Sequence, residues 1–144
     1  MLYVATALAN RDEELERRVL LHRGRRPEGW GTLELGGGDL DAVLEDADRW
    51  GAVLLDSLTL WVSARMLSGE DEEASLEEFQ NFLVGAVALE TPLVLVSDEV
   101  GLGIVPESDA GRAFRDLLGL ANQRVTAVAE EVHLCVAGIG VRIK

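Results

Sequence analysis

The chain of 144 residues predicts an α/β fold, a mostly parallel sheet covered by helices on both faces. Three observations carry that reading. Short runs that are almost wholly apolar stand at 1–6 (MLYVAT), 52–56 (AVLLD), 92–97 (PLVLVS) and 131–137 (EVHLCVA), the signature of strands buried on both sides. Segments of helical period separate them. No repeat, low-complexity tract or linker divides the chain, so 1–144 reads as one domain, long enough for a core of its own.

Taken in order, Met1 to Thr6 is a strand that starts at the first residue. Asn10 with Glu13 three positions on fits a capping box, and Leu15, Val19 and His22 recur on one helical face until Gly24 and Pro27 end it. Gly31 to Leu35 is a short strand, and Gly36-Gly37-Gly38-Asp39 is a turn whose aspartate caps a helix to about Arg49. AVLLD is a strand ending in the carboxylate of Asp56. Ser57 to Leu67 is helical, with Leu58, Trp61, Val62 and Met66 on a broad apolar face. Ser68 to Glu73 reads as an acidic linker, Ser75 to Glu90 as an amphipathic helix, and PLVLVS as the next strand. A glycine-containing loop at 98–106 leads into a long helix over 107–130, which Gly119 weakens. EVHLCVA is a strand, and the alternation of Ile139, Val141 and Ile143 suits an edge strand.

Composition narrows the function classes. With 26 acidic and 13 basic residues the net charge is −13, which disfavours nucleic acid and anionic membrane as partners. No apolar run approaches the ~18 residues of a membrane span, no signal-peptide pattern opens the chain, and the cytoplasm is the expected compartment. The single cysteine, Cys135, excludes an internal disulfide and a CxxC metal site. Twelve of the basic residues are arginine and the one lysine is Lys144, so these residues contain no Gly-Lys pair of the kind a phosphate loop needs.

In open parallel sheets, ligands sit beyond the carboxyl ends of the strands. Thr6, Ala7 and Leu8, then Asp56, then Asp98-Glu99 occupy those positions. The sharpest anomaly is RRVLLHRGRR at 17–26, with five arginines and no acid on an otherwise acidic chain. Guanidinium groups grip phosphate oxygens bidentately, and an imidazole among them can act as base or as nucleophile at phosphorus. The alternative is that these arginines complement a helix C-terminus and that His22 belongs to the core. Asp56, ending an apolar strand, suits a carboxylate that holds Mg²⁺; the alternative is a helix cap. Asp98-Glu99 has the same ambiguity, and GLG at 101–103 is a weak signal because Pro106 stands where GxGxxG has its third glycine. His133, Trp30, Trp50 and Trp61 read as structural, and Asn122-Gln123 as surface.

LYVATA (2–7), RRVLLHRGRRPEGWGTLE (17–34), LLDSLTLWVS (54–63), VLVSDEVGLGIVPE (94–107), FRDLLGLANQ (114–123) and GIGVRIK (138–144) follow one another in a specific order. On these motifs the chain resembles the bifunctional adenosylcobinamide kinase / adenosylcobinamide-phosphate guanylyltransferase family of cobalamin biosynthesis, nearly end to end. The resemblance implies a P-loop NTPase-like (RecA-like) fold and a homotrimer. It implies phosphorylation of adenosylcobinamide by a nucleoside triphosphate, then transfer of GMP from GTP to the resulting phosphate through a guanylylated histidine, here His22. Nucleotide contacts carry over to Thr6, Ala7, Leu8, Arg23, Gly24, Arg25, Arg26, Glu34 and Asp56, with Asp56 also holding Mg²⁺; GTP and ATP are the expected substrates. Ser57 stands where the family often has cysteine. Family members carry a strand, a GGxRSGKS-type loop and a helix before the counterpart of LYVAT, so the expected fold is that of the family without its first strand, P-loop and first helix. Two explanations follow: a start internal to a longer gene, favoured by the intact site residues, or a remnant that binds nucleotide or cobamide, or serves assembly, without catalysis.

Overall fold

A computed structural model describes residues 1–7, 17, 21, 23–24 and 26–144. Its sheet contains β1 (Leu2–Ala5), β2 (Gly31–Glu34), β3 (Val53–Asp56) and β4 (Leu93–Val96), in the order β2-β1-β3-β4 and parallel throughout. The described helices are α1 (Asp41–Ala47), α2 (Leu58–Leu67), α3 (Glu72–Val87) and α4 (Asp109–Val128). A separate antiparallel pair, β5 (His133–Val136) and β6 (Ile139–Arg142), closes the chain.

Side chains alternate across a strand, so the in-register pairing sorts them into two faces. Leu2, Val4, Val53 and Leu55 point to one face and join a single core with Val43 and Ala47 of α1, Leu58, Trp61 and Val62 of α2, Phe79, Phe82 and Leu83 of α3, and Leu117, Leu118 and Ala121 of α4. Trp61, Phe79 and Phe82 pack through its centre, Trp61 tilted on Phe79 with ring centroids 5.9 Å apart and Phe79 stacked on Phe82 at 6.1 Å. Helices α1 to α4 therefore all lie on that face. The other face carries Tyr3, Thr32, Glu34, Leu54, Asp56, Val94 and Val96. The further helix expected around 10–24, with Asn10, Glu13, Leu15 and Val19, lies almost wholly outside the described residues.

Several boundaries differ from the sequence reading for local reasons. Leu40, not Asp39, stands at the N-cap of α1, although the Asp39 carboxylate accepts the Asp41 N–H at 2.8 Å and so serves the same first turn from one residue further out. The last two residues of the acidic stretch read as linker, Glu72 and Glu73, already belong to α3, whose N-cap is Asp71. Asp71 accepts the N–H groups of Glu73 and Ala74, and Glu72 and Glu73 lie where the helix dipole favours negative charge. Gly119 does not interrupt α4, which buries Leu117, Leu118 and Ala121 on one side. The run 131–137 pairs with the tail rather than with the parallel sheet. Ala137 and Gly138, with φ of 51° and 80°, form a two-residue turn whose left-handed backbone matches the twist of a hairpin.

Candidate functional site

Equal register brings the carboxyl ends of β1, β2 and β3 level. Ala5 pairs with Glu34 on one side and Asp56 on the other, so the two carboxylates share a face, with their Cα atoms roughly 10 Å apart across two strand spacings. Between them, one step back along β1, stands Tyr3.

Tyr3 organises this end of the open face. Its hydroxyl donates to Asp56 Oδ2 at 2.5 Å, and the Arg26 guanidinium lies 3.6 Å from its ring centroid. Arg26 Nη1 in turn donates to Thr32 Oγ1 at 2.7 Å. Covered in this way, Tyr3 is only 9% exposed. Burial, and then the hydrogen bond to Asp56 and the charge it carries, push the phenol up to about 12, against a smaller opposing pull from Arg26. At neutral pH the hydroxyl is therefore a standing donor. Arg23 pairs with Glu34 beside this cluster, each side chain about half exposed. Arg23, Arg26, Glu34 and Asp56 together balance in charge, on a chain whose net charge is −13.

The residue just past the end of β1 has a different task. Thr6 is fully buried; its Oγ1 donates to the Ser57 carbonyl at 2.7 Å and accepts the Ser57 N–H at 2.8 Å. This closed pair of bonds ties the end of β1 to the turn after β3. Ser57 is itself the N-cap of α2, accepting the Leu60 N–H at 3.3 Å. The capping role considered for Asp56 thus belongs to its neighbour, and the Asp56 carboxylate is turned to Tyr3 instead. Ala7 follows, half-buried, and Gly24 precedes the Arg26 segment with open space where a Cβ would stand. Leu8, His22 and Arg25 lie outside the described residues.

At the end of β4, Asp98 is tied down by its backbone and Glu99 by its carboxylate. The backbone N–H of Asp98 donates to Thr59 Oγ1 at 2.9 Å, and the Glu99 carboxylate turns back onto the Gly101 N–H at 2.5 Å. Asn122 accepts from Ser97 at 2.6 Å and donates to the Asp98 carbonyl at 3.1 Å, fastening α4 to the exit of β4. His133 is exposed beside Glu131, Trp61 is in the core with its indole N–H on the Gly38 carbonyl, and Trp50 is partly buried with its N–H on Asp46. A hollow of about 470 Å³ opens elsewhere, among Asp39, Asp41, Arg65, Glu77, Glu78 and Asn81. Arg65 spans Glu70 and Glu78 there, and burial raises the Glu78 carboxyl. Its acidic lining disfavours a phosphate, so the strand ends remain the candidate site.

Sequence reasoning missed Tyr3 and Thr32. MLYVAT reads as an almost wholly apolar strand, yet it contains the chain's one tyrosine, two positions before the end of β1 and on the same face as Asp56. That spacing was the available signal.

The match to known proteins runs through these same residues. The pattern of the family described as cobinamide kinase / cobinamide phosphate guanyltransferase matches residues 1–143. The chain belongs to this family. Among its relatives is the bifunctional adenosylcobalamin biosynthesis protein CobU of Escherichia coli (strain K12), 37% identical over 156 residues that take in 100% of this chain and 86% of the relative. The CobU protein of Salmonella typhimurium is 36% identical over the same shares, and CobP of Pseudomonas aeruginosa 34% identical over 99% of this chain and 81% of its own. The family resemblance read from the motifs is borne out, and with it the mostly parallel α/β fold and membership among kinases and guanylyltransferases that handle nucleotides. No helix among the described residues is long and apolar enough to cross a membrane.

A divalent cation suits the site only in one manner. Among the described residues no group of three His, Cys, Asp or Glu side chains could enclose a metal. Asp56 is a lone carboxylate at a strand end, with one oxygen held by Tyr3. Mg²⁺ binds readily through one or two carboxylates when water and substrate phosphates complete its shell, so Asp56 fits an ion that arrives with a nucleotide.

Proposed function

We propose that this chain carries out the family's chemistry on a cobamide precursor. It phosphorylates adenosylcobinamide and transfers GMP from GTP to adenosylcobinamide phosphate, with His22 as the covalent carrier. The observation that supports this reading best is the family match across residues 1–143, which includes the stretch 22–34, together with the location of Arg23, Arg26 and Glu34 of that stretch beside Asp56 at the strand ends.

In the guanylyl half-reaction a ring nitrogen of neutral His22 attacks the α-phosphorus of GTP. A P–N bond forms, the bond to the β-phosphate oxygen breaks, and pyrophosphate leaves with its electron pair. A phosphate oxygen of adenosylcobinamide phosphate then attacks the same phosphorus, the P–N bond breaks, and adenosylcobinamide-GDP is released with His22 restored. A phosphoramidate serves such a sequence because protonated imidazole is a good leaving group. Arg23, Arg25 and Arg26 offset the charge of the phosphates, in keeping with the bidentate fit of guanidinium to phosphate. Thr6, Ala7, Leu8 and Gly24 shape the backbone near the nucleotide, and Glu34 sets Arg23. Asp56 would hold Mg²⁺, which when bound draws charge from the phosphate oxygens. The unit formed by 1–144 acts as one domain and assembles as a homotrimer.

The test is incubation with Mg²⁺ and GTP labelled on the α-phosphate. An acid-labile label on the protein, absent from His22→Ala, is the expected result. Label that persists in His22→Ala overturns the assignment of the carrier. A folded protein that takes no label and gains no melting temperature from GTP is instead a binding or assembly module.

A further inference from the structure

We propose that Tyr3 is a positioning residue for the nucleotide chemistry at Asp56, acting through two separate parts of one side chain. The hydroxyl fixes the Asp56 carboxylate by its Oδ2, and the ring is the platform on which Arg26 rests. The inference rests on the assignment of Asp56 as the carboxylate that receives the divalent cation.

Three features carry it. Tyr3 and Asp56 come from adjacent strands and share a face because β1 and β3 pair in register, so their contact is set by the sheet and not by a loop. The hydroxyl takes one carboxylate oxygen only, and no described side chain donates to the other. A carboxylate left to rotate would have to be ordered each time a cation bound; a hydrogen bond made beforehand removes that cost, as the outer partners of metal ligands do. Arg26 completes the arrangement. It covers the ring at 3.6 Å and is held in turn by Thr32, so a phosphate-binding guanidinium and a cation-binding carboxylate are located by the same phenol.

The division of labour is testable by separating hydroxyl from ring. Tyr3→Phe keeps the ring, and with it the Arg26 contact, and removes only the hydroxyl. The probe is Mn²⁺ in the presence of GTP, with bound and free ion distinguished by electron paramagnetic resonance, for the parent, Tyr3→Phe, Asp56→Asn and the double variant. The expected result is Mn²⁺ affinity about tenfold weaker in Tyr3→Phe, the scale on which outer partners of metal ligands act, with an unchanged melting temperature. Asp56→Asn is weaker still, and adding Tyr3→Phe to it changes nothing further. Parent-like affinity in Tyr3→Phe beside a loss in Asp56→Asn overturns the role of Tyr3 and leaves Asp56 in place. A parent-like Asp56→Asn overturns the assignment of Asp56 itself. An equal loss from Tyr3→Phe in both backgrounds, or one that tracks a lowered melting temperature, shows a general structural effect and also overturns the proposal.

Discussion

Thr6 and Tyr3 lie three positions apart on one short strand segment and do opposite kinds of work. Thr6 is buried against Ser57 and makes two hydrogen bonds with a single backbone unit. Thr6→Val has nearly the same shape but leaves the Ser57 N–H and carbonyl without that partner. An unsatisfied buried polar group costs about 1–3 kcal/mol, so urea unfolding should show a loss in that range and an unchanged slope. Tyr3 instead spends its hydroxyl on the strand end of a neighbour. Sequence reasoning found Asp56 from its place after AVLLD, and left its role open between cap and ligand. Ser57 closes the first option, because a residue with extended backbone one position later already accepts the Leu60 N–H. That choice depends on backbone angles at the strand-to-helix junction, which neither residue type dictates by itself.

Among the elements, the strands were legible almost residue by residue. A parallel strand lined by valine and leucine leaves a compositional trace that survives without any alignment, although that trace reads as burial on both sides and α1 to α4 cover one. The helices were legible as segments but not at their ends. Asp71 and Ser108 are caps of an ordinary kind, yet the acidic stretch before Ser75 also reads as solvated linker. The helical state of its last residues, Glu72 and Glu73, is decided by what α3 buries further on, where Phe79, Phe82 and Leu83 face the core. Phe79 contacts both Trp61 and Phe82 at its centre. Phe79→Ala should therefore cost about 3–5 kcal/mol, the range for a large buried aromatic truncated to a methyl group, with a matching fall in the midpoint of chemical denaturation.

Across the whole molecule, the sheet is two-sided in composition but one-sided in its described cover. Val94 and Val96 of β4 are 51% and 41% exposed on the face that carries Tyr3 and Asp56, and β4 is the last strand of the described sheet. An apolar strand at a sheet edge is a template for pairing with another chain. Val94→Lys combined with Val96→Lys is expected to suppress concentration-dependent association, measured by sedimentation velocity. The melting temperature should hold within about 2 °C, since exposed changes usually move stability by no more than ~0.5 kcal/mol. A parent that shows no dependence on concentration would count against this reading of the edge.

The sequence by itself determined the family, the alternation of strand and helix, the acidic surface with its one basic stretch, and the candidate residues His22, Arg23, Arg26, Glu34 and Asp56. These are written in local pattern and motif order, which need no third dimension. Only the tertiary structure decided that Glu34 and Asp56 flank the same residue of β1, that Tyr3 and Arg26 belong to that cluster, that the Thr6 hydroxyl ties to Ser57, and that the last two strands form their own hairpin. Those facts come from strand order and register. Register is a property of the sheet as a whole, set when one hydrophobic face is buried, and it brings together residues separated by dozens of positions that no local reading can pair.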